Sequence, residues 1–147
     1  MELGIIGAGN MGSSILKGVI TSNFLVSDDI TVFDLNQEKV ENLVKKYGIK
    51  ASESENELVE KSNILILSVK PNIVPIVLKK IKDKLDKNTI ILSIAAGVSI
   101  DFIEKNIGND KKVVRTMPNT PAQVMQGMTA VSFNSNIEEN EKLLLQK

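Results

Sequence analysis

The residues Gly-Ile-Ile-Gly-Ala-Gly-Asn-Met-Gly at positions 4–12 form the most informative stretch of the chain. They overlap the apolar run Leu3–Ile6, which is typical of a buried strand. The three glycines that follow have the spacing at which a strand turns tightly into a helix. Gly7 permits the turn, Gly9 lets a pyrophosphate approach the backbone, and Gly12 lets the helix lie close to the strand. Because the first N–H groups of a helix favour an anion, the stretch predicts a dinucleotide-binding turn.

A carboxylate stands where such a turn requires one. A second apolar run, Ile30–Phe33, ends in Asp34, about 20 residues after Gly12. In dinucleotide-binding proteins an acid at this place accepts hydrogen bonds from the ribose hydroxyls of adenosine. The alternative is a turn without a ligand, with Asp34 merely capping the next helix. The order of strand, glycines, helix, strand and acid favours the dinucleotide.

Composition narrows the class of protein. The chain has 147 residues, 42% of them apolar and 24% charged, which suits one globular domain. Its 18 basic and 18 acidic side chains balance, so net charge suggests neither a nucleic acid nor a membrane surface as partner. The longest apolar run, at 89–98, is too short to span a bilayer. The absence of cysteine fits a reducing compartment, and we expect a cytoplasmic location.

The missing residue types also exclude chemistry. Without His or Cys, the chain contains no Ser-His-Asp triad, no thiolate nucleophile and no common zinc site. The acidic pair Asp28-Asp29 lies in a predicted loop and is interpreted as a solvated connection, so no metal site is predicted. No catalytic side chain can be identified. Hydride transfer remains possible because a nicotinamide cofactor carries the reactive group itself.

The remainder of the chain alternates between strand-like and helix-like patterns. Predicted strands lie at 3–6, 30–33, 49–51, 64–67, 89–94, 113–114 and 128–133, and predicted helices follow the glycine turn and lie at about 40–47, 55–62, 72–85 and 99–107. Gly48 stands where a helix commonly ends. This alternation predicts a single α/β domain over residues 1–147, of the Rossmann type, with a doubly wound, mostly parallel sheet and helices on both faces.

Three loops follow predicted strands and should lie at one edge of the sheet. They read Ser-Val-Lys-Pro at 68–71, Ala-Ala-Gly at 95–97 and Met-Pro-Asn-Thr-Pro-Ala at 117–122. Each could be an ordinary turn. Ligands of open α/β sheets bind at the carboxyl ends of the strands, and all three loops are small, polar or stiffened by proline. We therefore interpret them as one site.

These residues resemble the pyrroline-5-carboxylate reductase family. The matching motifs are the glycine turn at 7–12, Val-Lys-Pro at 69–71, Ser-Ile-Ala-Ala-Gly at 93–97 and Arg-Thr-Met-Pro-Asn-Thr-Pro-Ala at 115–122. The last motif is the most specific and contains Arg115, the only arginine of the chain. The resemblance extends over essentially all 147 residues.

The resemblance implies hydride transfer from NADH or NADPH to the C=N bond of 1-pyrroline-5-carboxylate, a small-molecule substrate, giving L-proline in proline biosynthesis. Catalysis would come from positioning the two reactants, and Lys70 would position rather than act as a general acid. Asn119 and Thr120 would lie on the substrate side. Residues implied at the pyrophosphate are Ile6, Gly7, Ala8, Gly9, Asn10, Met11 and Gly12; those implied on the nicotinamide side are Ser68, Val69, Lys70, Pro71, Ala95, Ala96 and Gly97.

Family members often carry an asparagine early in the helix before the fourth strand, where it contacts the cofactor. Counting back from Lys70, that position is Glu55, and Asn56 stands beside it. The sequence leaves open which of the two contacts the cofactor.

The family also continues into a helical second domain that forms the oligomer and much of the substrate pocket. This chain reaches Lys147 inside a helix predicted from about Ile137. We therefore expect it to fold and bind dinucleotide, but to turn over substrate poorly alone. An apolar patch near the leucines at 143–145 would promote association.

Cofactor preference and two alternative functions remain open. Asp34 suits a ribose hydroxyl better than a 2′-phosphate, which favours NADH over NADPH. One alternative is another small Rossmann reductase, of the β-hydroxyacid dehydrogenase type, which lacks the motif at 115–122. The other is a stand-alone dinucleotide-binding or regulatory module.

Overall fold

The structure is a computed structural model that describes residues 2–22, 25–95, 97–108, 110–118 and 128–139. Strands and helices alternate along most of this length. The strands are β1 (Leu3–Ile6), β2 (Ile30–Phe33), β3 (Lys50–Ala51), β4 (Ile64–Leu67), β5 (Ile90–Ser93), β6 (Lys112–Pro118) and β7 (Met128–Phe133). The helices are α1 (Asn10–Thr21), α2 (Gln37–Tyr47), α3 (Glu55–Lys61), α4 (Val74–Ile81) and α5 (Ile100–Ile107).

The strands form one sheet with the order β3-β2-β1-β4-β5-β6-β7. The first six strands are parallel, and β7 is antiparallel to β6. The mostly parallel Rossmann-type sheet is therefore confirmed. Chain order reverses at β1, which pairs with β2 on one side and β4 on the other. Ligands of such sheets bind at this switch point, and the glycine turn follows β1 directly.

Helices cover both faces of the sheet. Side chains alternate along each strand, so Leu65 and Leu67 of β4 enter one core and Ile64 and Ile66 enter the other. The first core lies beneath α3, α4 and α5, and the second lies beneath α1 and α2. Fully buried side chains that fill these cores include Ile5, Leu16, Ile30, Leu58, Leu78, Ile81 and Ile103.

Capping residues fix several helix ends. The side chains of Asn36, Ser54 and Ser99 accept hydrogen bonds from backbone N–H groups in the first turns of α2, α3 and α5. Each such cap stabilises its helix by about 1 kcal/mol. Gly48 ends α2 in the left-handed conformation at φ 71°, which confirms the predicted helix end.

Several boundaries differ from the sequence prediction by a few residues, and two of these differences have a visible cause. Helix α4 begins at Val74 rather than residue 72, because residues 71–73 form a turn closed by the Ile73 N–H and the Lys70 carbonyl oxygen at 2.9 Å. Strand β6 is longer than predicted and includes residues 117 and 118, which were assigned to a loop. Its pairing with β7 extends it beyond the end of β5. Asp28-Asp29 belongs to a 3-10 turn, Ser27–Asp29.

Two predictions lie largely or wholly outside the described residues. The helix predicted from about Ile137 mostly falls there, and so does the apolar patch at 143–145. Within the described ranges, no helix combines the length and apolar character needed to cross a membrane.

Candidate dinucleotide-binding site

The glycine turn joins β1 to α1 in a conformation that depends on its glycines. Gly7 has φ 107°, and a Cβ there would lie 2.7 Å from the carbonyl oxygen of Ser68. A Cβ on Gly12 would overlap the carbonyl oxygen of Gly7, so α1 can approach the turn only because Gly12 has no side chain. At Gly9, by contrast, a Cβ would meet nothing within 4 Å. The turn is therefore closed on its inner side and open outward at Gly9.

The open side of the turn suits an anion. Helix α1 begins at Asn10, and its N-cap residue Gly9 provides no side-chain cap. The first N–H groups of a helix have no intrahelical acceptors, and they carry the positive end of the helix dipole. The space outside Gly9 and these N–H groups would accommodate an anion, and the pyrophosphate expected there stays a prediction.

Asp34 makes contacts that the sequence does not predict. Its Oδ2 accepts a hydrogen bond from the Ala8 N–H at 2.6 Å, and its Oδ1 accepts one from the Asn36 N–H at 2.8 Å. The carboxylate expected to bind ribose therefore also links the end of β2 to the glycine turn. A carboxylate offers about four lone-pair positions, so acceptor positions remain for ribose hydroxyls.

Ser68 contacts the same turn from the opposite side. Its hydroxyl donates to the Gly7 carbonyl oxygen at 2.7 Å and lies 3.1 Å from the Ile6 carbonyl oxygen. Its backbone N–H also donates to Ile6, at 2.9 Å. The sequence places Ser68 on the nicotinamide side, but its nearest polar partners belong to the pyrophosphate turn.

Of the other predicted site residues, those that the structure describes lie along the same edge of the sheet. Ala95 is buried, and its N–H donates to the Ser93 hydroxyl at 3.3 Å. Gly97 has φ 75° and is exposed. Val69 is half-buried, whereas Lys70 and Pro71 are exposed. The side chains of Asn10 and Met11, and all of Ala96, Asn119 and Thr120, lie outside what the structure describes.

The strand ends are aligned, which brings these loops together. Ile6 is level with Phe33 on β2 and with Leu67 on β4, and Leu67 is level with Ser93 on β5. Ser93 in turn is level with Arg115 on β6. These residues at the strand ends are therefore apolar beside the glycine turn and polar toward β6. The loops that follow these strands leave the sheet along one carboxyl edge.

Among the residues that the structure describes, two side chains carry buried polar atoms without a partner, and no sequence pattern indicates either. These atoms are Oδ1 of Asn56 and Nε of Arg115. Glu55, next to Asn56, forms an ion pair with Lys80 of α4, with 3.4 Å between Glu55 Oε2 and Lys80 Nζ. Of the two candidates for a cofactor contact in α3, Asn56 has the unused acceptor.

A separate cleft lies at the opposite edge of the sheet. It has a volume of about 310 Å³ and is lined by residues of α3, β2 and β3 and by Glu2, which precedes β1; Lys50 and Lys61 are among them. It contains none of the predicted site residues, and its charges are mixed. The glycine turn therefore remains the candidate site. Among the described residues, no three His, Cys, Asp or Glu side chains gather as a metal site would require.

Comparison with known proteins identifies the family. Residues 2–97, from β1 through the loop after β5, match the family model described as NADP oxidoreductase coenzyme F420-dependent. The chain belongs to this family. Membership in the NADP oxidoreductase coenzyme F420-dependent family agrees with the glycine turn, which lies inside the matched segment.

The chain is also similar to pyrroline-5-carboxylate reductases, which confirms the predicted resemblance. It is 42% identical over 134 residues to the Escherichia coli pyrroline-5-carboxylate reductase, covering 91% of this chain and 50% of that protein. The chain spans about half the length of the curated relatives it matches.

Solved structures agree with this similarity. A pyrroline-5-carboxylate reductase from Coxiella burnetii superposes with a TM-score of 0.92 at 29% identity, over 98% of this chain and 53% of that chain. The Plasmodium falciparum pyrroline carboxylate reductase, with NADP bound, superposes with a TM-score of 0.87 at 28% identity, over 99% and 52% of the two chains.

Proposed function

We propose that this chain is the cofactor-binding part of a pyrroline-5-carboxylate reductase, which reduces the C=N bond of 1-pyrroline-5-carboxylate to give L-proline. The observation that carries the proposal is the glycine turn, closed on its inner side by Gly12 and open at Gly9, at the switch point of the sheet. The 42% identity to the Escherichia coli enzyme supports the substrate class.

The cofactor would bind along the carboxyl edge of the sheet. The turn at 6–12 would hold the pyrophosphate, and Asp34 would accept from the adenosine ribose. Asn56, with its unpaired Oδ1, would add a polar contact from α3. The loops at 68–71 and 95–97 would line the nicotinamide side, and residues 119 and 120 would lie toward the substrate.

The chemistry needs little from this chain beyond orientation. A reduced nicotinamide supplies the hydride when it is bound. The chain's residues would fix the ring beside the imine carbon, because holding two reactants in near-attack geometry is itself a large part of catalysis. Lys70 is exposed at the end of its loop, which suits a positioning role better than proton transfer from a closed site.

We also propose that NADH is preferred to NADPH. Asp34 places a negative charge at the end of β2, where a 2′-phosphate would be repelled. The nearest cation in sequence is Lys39, whose N–H belongs to the first turn of α2. Parallel titrations with the two cofactors test this, and tighter binding of NADPH would contradict it.

Turnover would require more protein than these 147 residues, since the chain covers 50% of its Escherichia coli relative. We propose that a helical domain completes the substrate pocket and forms the oligomer, and that the enzyme acts in the cytoplasm. A steady-state assay of the 147-residue chain with pyrroline-5-carboxylate tests the first point. Ordinary reductase turnover by this chain alone would contradict it.

The first experiment is a calorimetric titration of the chain with NADH. We expect saturable binding at one site, and loss of that binding in Gly9→Val, which fills the open space outside the turn. Because a Cβ at Gly9 meets nothing within 4 Å, this variant should still fold. Thr21→Val, at the exposed opposite end of α1, is the matched control and should bind normally.

A further inference from the structure

We infer that Ser68 is a positioning residue for the pyrophosphate turn, acting together with Asp34 on a single peptide group. The group is the peptide that joins Gly7 to Ala8. Its carbonyl oxygen accepts from the Ser68 hydroxyl at 2.7 Å, and its N–H donates to Asp34 Oδ2 at 2.6 Å. We call this arrangement the peptide clamp. The inference rests on the proposed function, because the turn matters only if it binds a dinucleotide.

The peptide clamp is built by the two strands that flank β1. Ser68 directly follows β4, and Asp34 directly follows β2. Both strands pair in register with β1, whose last residue is Ile6. The two side chains therefore approach the turn from opposite sides of the same strand. One peptide plane is held at both of its polar atoms.

Close packing fixes the position of the Ser68 hydroxyl. A Cβ on Gly12 would lie 2.6 Å from the Ser68 Oγ, so the hydroxyl occupies the space that the missing side chain leaves. Gly7 approaches Ser68 as closely, since a Cβ there would lie 2.7 Å from the Ser68 carbonyl oxygen. A hydroxyl has one hydrogen to donate, and the shorter distance assigns it to the Gly7 carbonyl oxygen.

The orientation of this peptide sets the path of the residues that follow. Gly9 and the first N–H groups of α1 come immediately after it. If the Gly7–Ala8 peptide rotated, these N–H groups would no longer point toward the pyrophosphate. Loss of the Ser68 hydroxyl should thus weaken binding of any ligand that carries a pyrophosphate, with or without a nicotinamide.

A direct contact between Ser68 and the nicotinamide side would behave differently. ADP contains the adenosine ribose and the pyrophosphate but lacks the nicotinamide half. A residue that touches only the nicotinamide half contributes to NADH binding and not to ADP binding. The ratio of the two affinities therefore distinguishes positioning of the turn from direct contact.

The test compares Ser68→Ala with Ser62→Ala by calorimetric titration with ADP and with NADH. Ser62 lies at the other end of β4, where its buried hydroxyl donates to the Leu58 carbonyl oxygen at 2.6 Å. It thus matches Ser68 as a strand-end serine bonded to a backbone carbonyl, but it has no contact with the turn. We expect Ser68→Ala to weaken ADP and NADH equally, by about 5- to 30-fold, and Ser62→Ala to change neither.

Each other outcome is also decisive. Weaker NADH binding with unchanged ADP binding would overturn the inference in favour of a nicotinamide contact, and no change for either ligand would overturn it outright. Wild-type chain that binds neither ligand would instead refute the proposed function. Should Ser68→Ala fail to fold, Ser68→Cys retains an atom at the γ position, though a larger one, and supplies only a weak donor. It should show the same equal loss.

Discussion

Arg115 lies level with Ser93 across the β5–β6 pairing, so an arginine and a serine stand side by side at the point where β5 ends. Ser93 is fully buried, and its hydroxyl accepts from the Ala95 N–H at the start of a predicted cofactor loop. The Nε of Arg115 is buried without a partner. A half-buried arginine with a buried Nε therefore borders the loop predicted to face the nicotinamide.

Replacing this arginine should not destabilise the chain. A buried donor without an acceptor costs about 1–3 kcal/mol, and an apolar group of similar shape removes that cost. We expect Arg115→Met to keep the free energy of unfolding or raise it by about 1 kcal/mol, measured by urea denaturation. Arg115→Lys, which retains a charge, should be less stable than Arg115→Met. A large loss in Arg115→Met would mean that the guanidinium has partners in solution.

Gly12→Ala should destabilise the fold through the close approach of α1 to the turn. The added methyl group would overlap the Gly7 carbonyl oxygen, and overpacking of this kind typically costs about 1–3 kcal/mol. The matched control is Gly9→Ala at the start of the same helix, where the methyl group meets open space. Gly12→Ala should melt at a clearly lower temperature than Gly9→Ala, and equal melting temperatures would contradict the described packing.

Asp34→Asn should weaken NADH binding and reduce discrimination against NADPH. An amide has one acceptor oxygen, so either the Ala8 or the Asn36 N–H loses its partner. The loss of charge also removes repulsion of a 2′-phosphate. We expect the Kd for NADH to rise about tenfold, and the ratio of the Kd for NADPH to the Kd for NADH to become smaller. Asp28→Asn, an exposed acid in the 3-10 turn, removes the same charge and should leave both unchanged.

Asn134 connects the end of β7 to neighbouring segments. Its Nδ2 donates to the Lys111 carbonyl oxygen at 2.8 Å, and its Oδ1 accepts from the Val113 N–H at 3.2 Å. Asn134→Ala should lower the free energy of unfolding by about 2 kcal/mol, because the Val113 N–H loses its partner and the Lys111 carbonyl oxygen keeps only the bond from Asn136 Nδ2. Asn106→Ala, which removes an exposed bond to the Phe102 carbonyl oxygen, should cost less than half as much. Equal losses by urea denaturation would contradict this.

Local patterns predicted most of the fold. The bounds of β1, β2, β4 and β7 follow from apolar runs, and the end of α2 follows from Gly48, because each depends on neighbours in sequence. The length of β6 could not be predicted in this way. It depends on β7, which pairs antiparallel with it and continues beyond the end of β5. The residue pattern of a single strand does not show which distant segment will pair with it.

In the candidate site, too, features set by neighbours in sequence could be predicted, whereas contacts between distant segments could not. The glycine spacing predicts the steric roles of Gly7 and Gly12, since both follow from one turn. The contact between Ser68 and Gly7 joins residues 61 positions apart, and no local pattern indicates it. The same is true of Asp34 and Ala8, which are 26 positions apart. Whether these residues contact a dinucleotide stays a prediction.

The peptide clamp bears on the thermodynamics of ligand capture. Ordering the backbone of one residue costs about 1–2 kcal/mol in conformational entropy, and a loop that becomes ordered only on binding loses that amount from its affinity. In this chain the Gly7–Ala8 peptide is already bonded at both polar atoms before any ligand arrives. The turn therefore has little backbone freedom left to lose, and rapid association without a slow loop-ordering phase should follow.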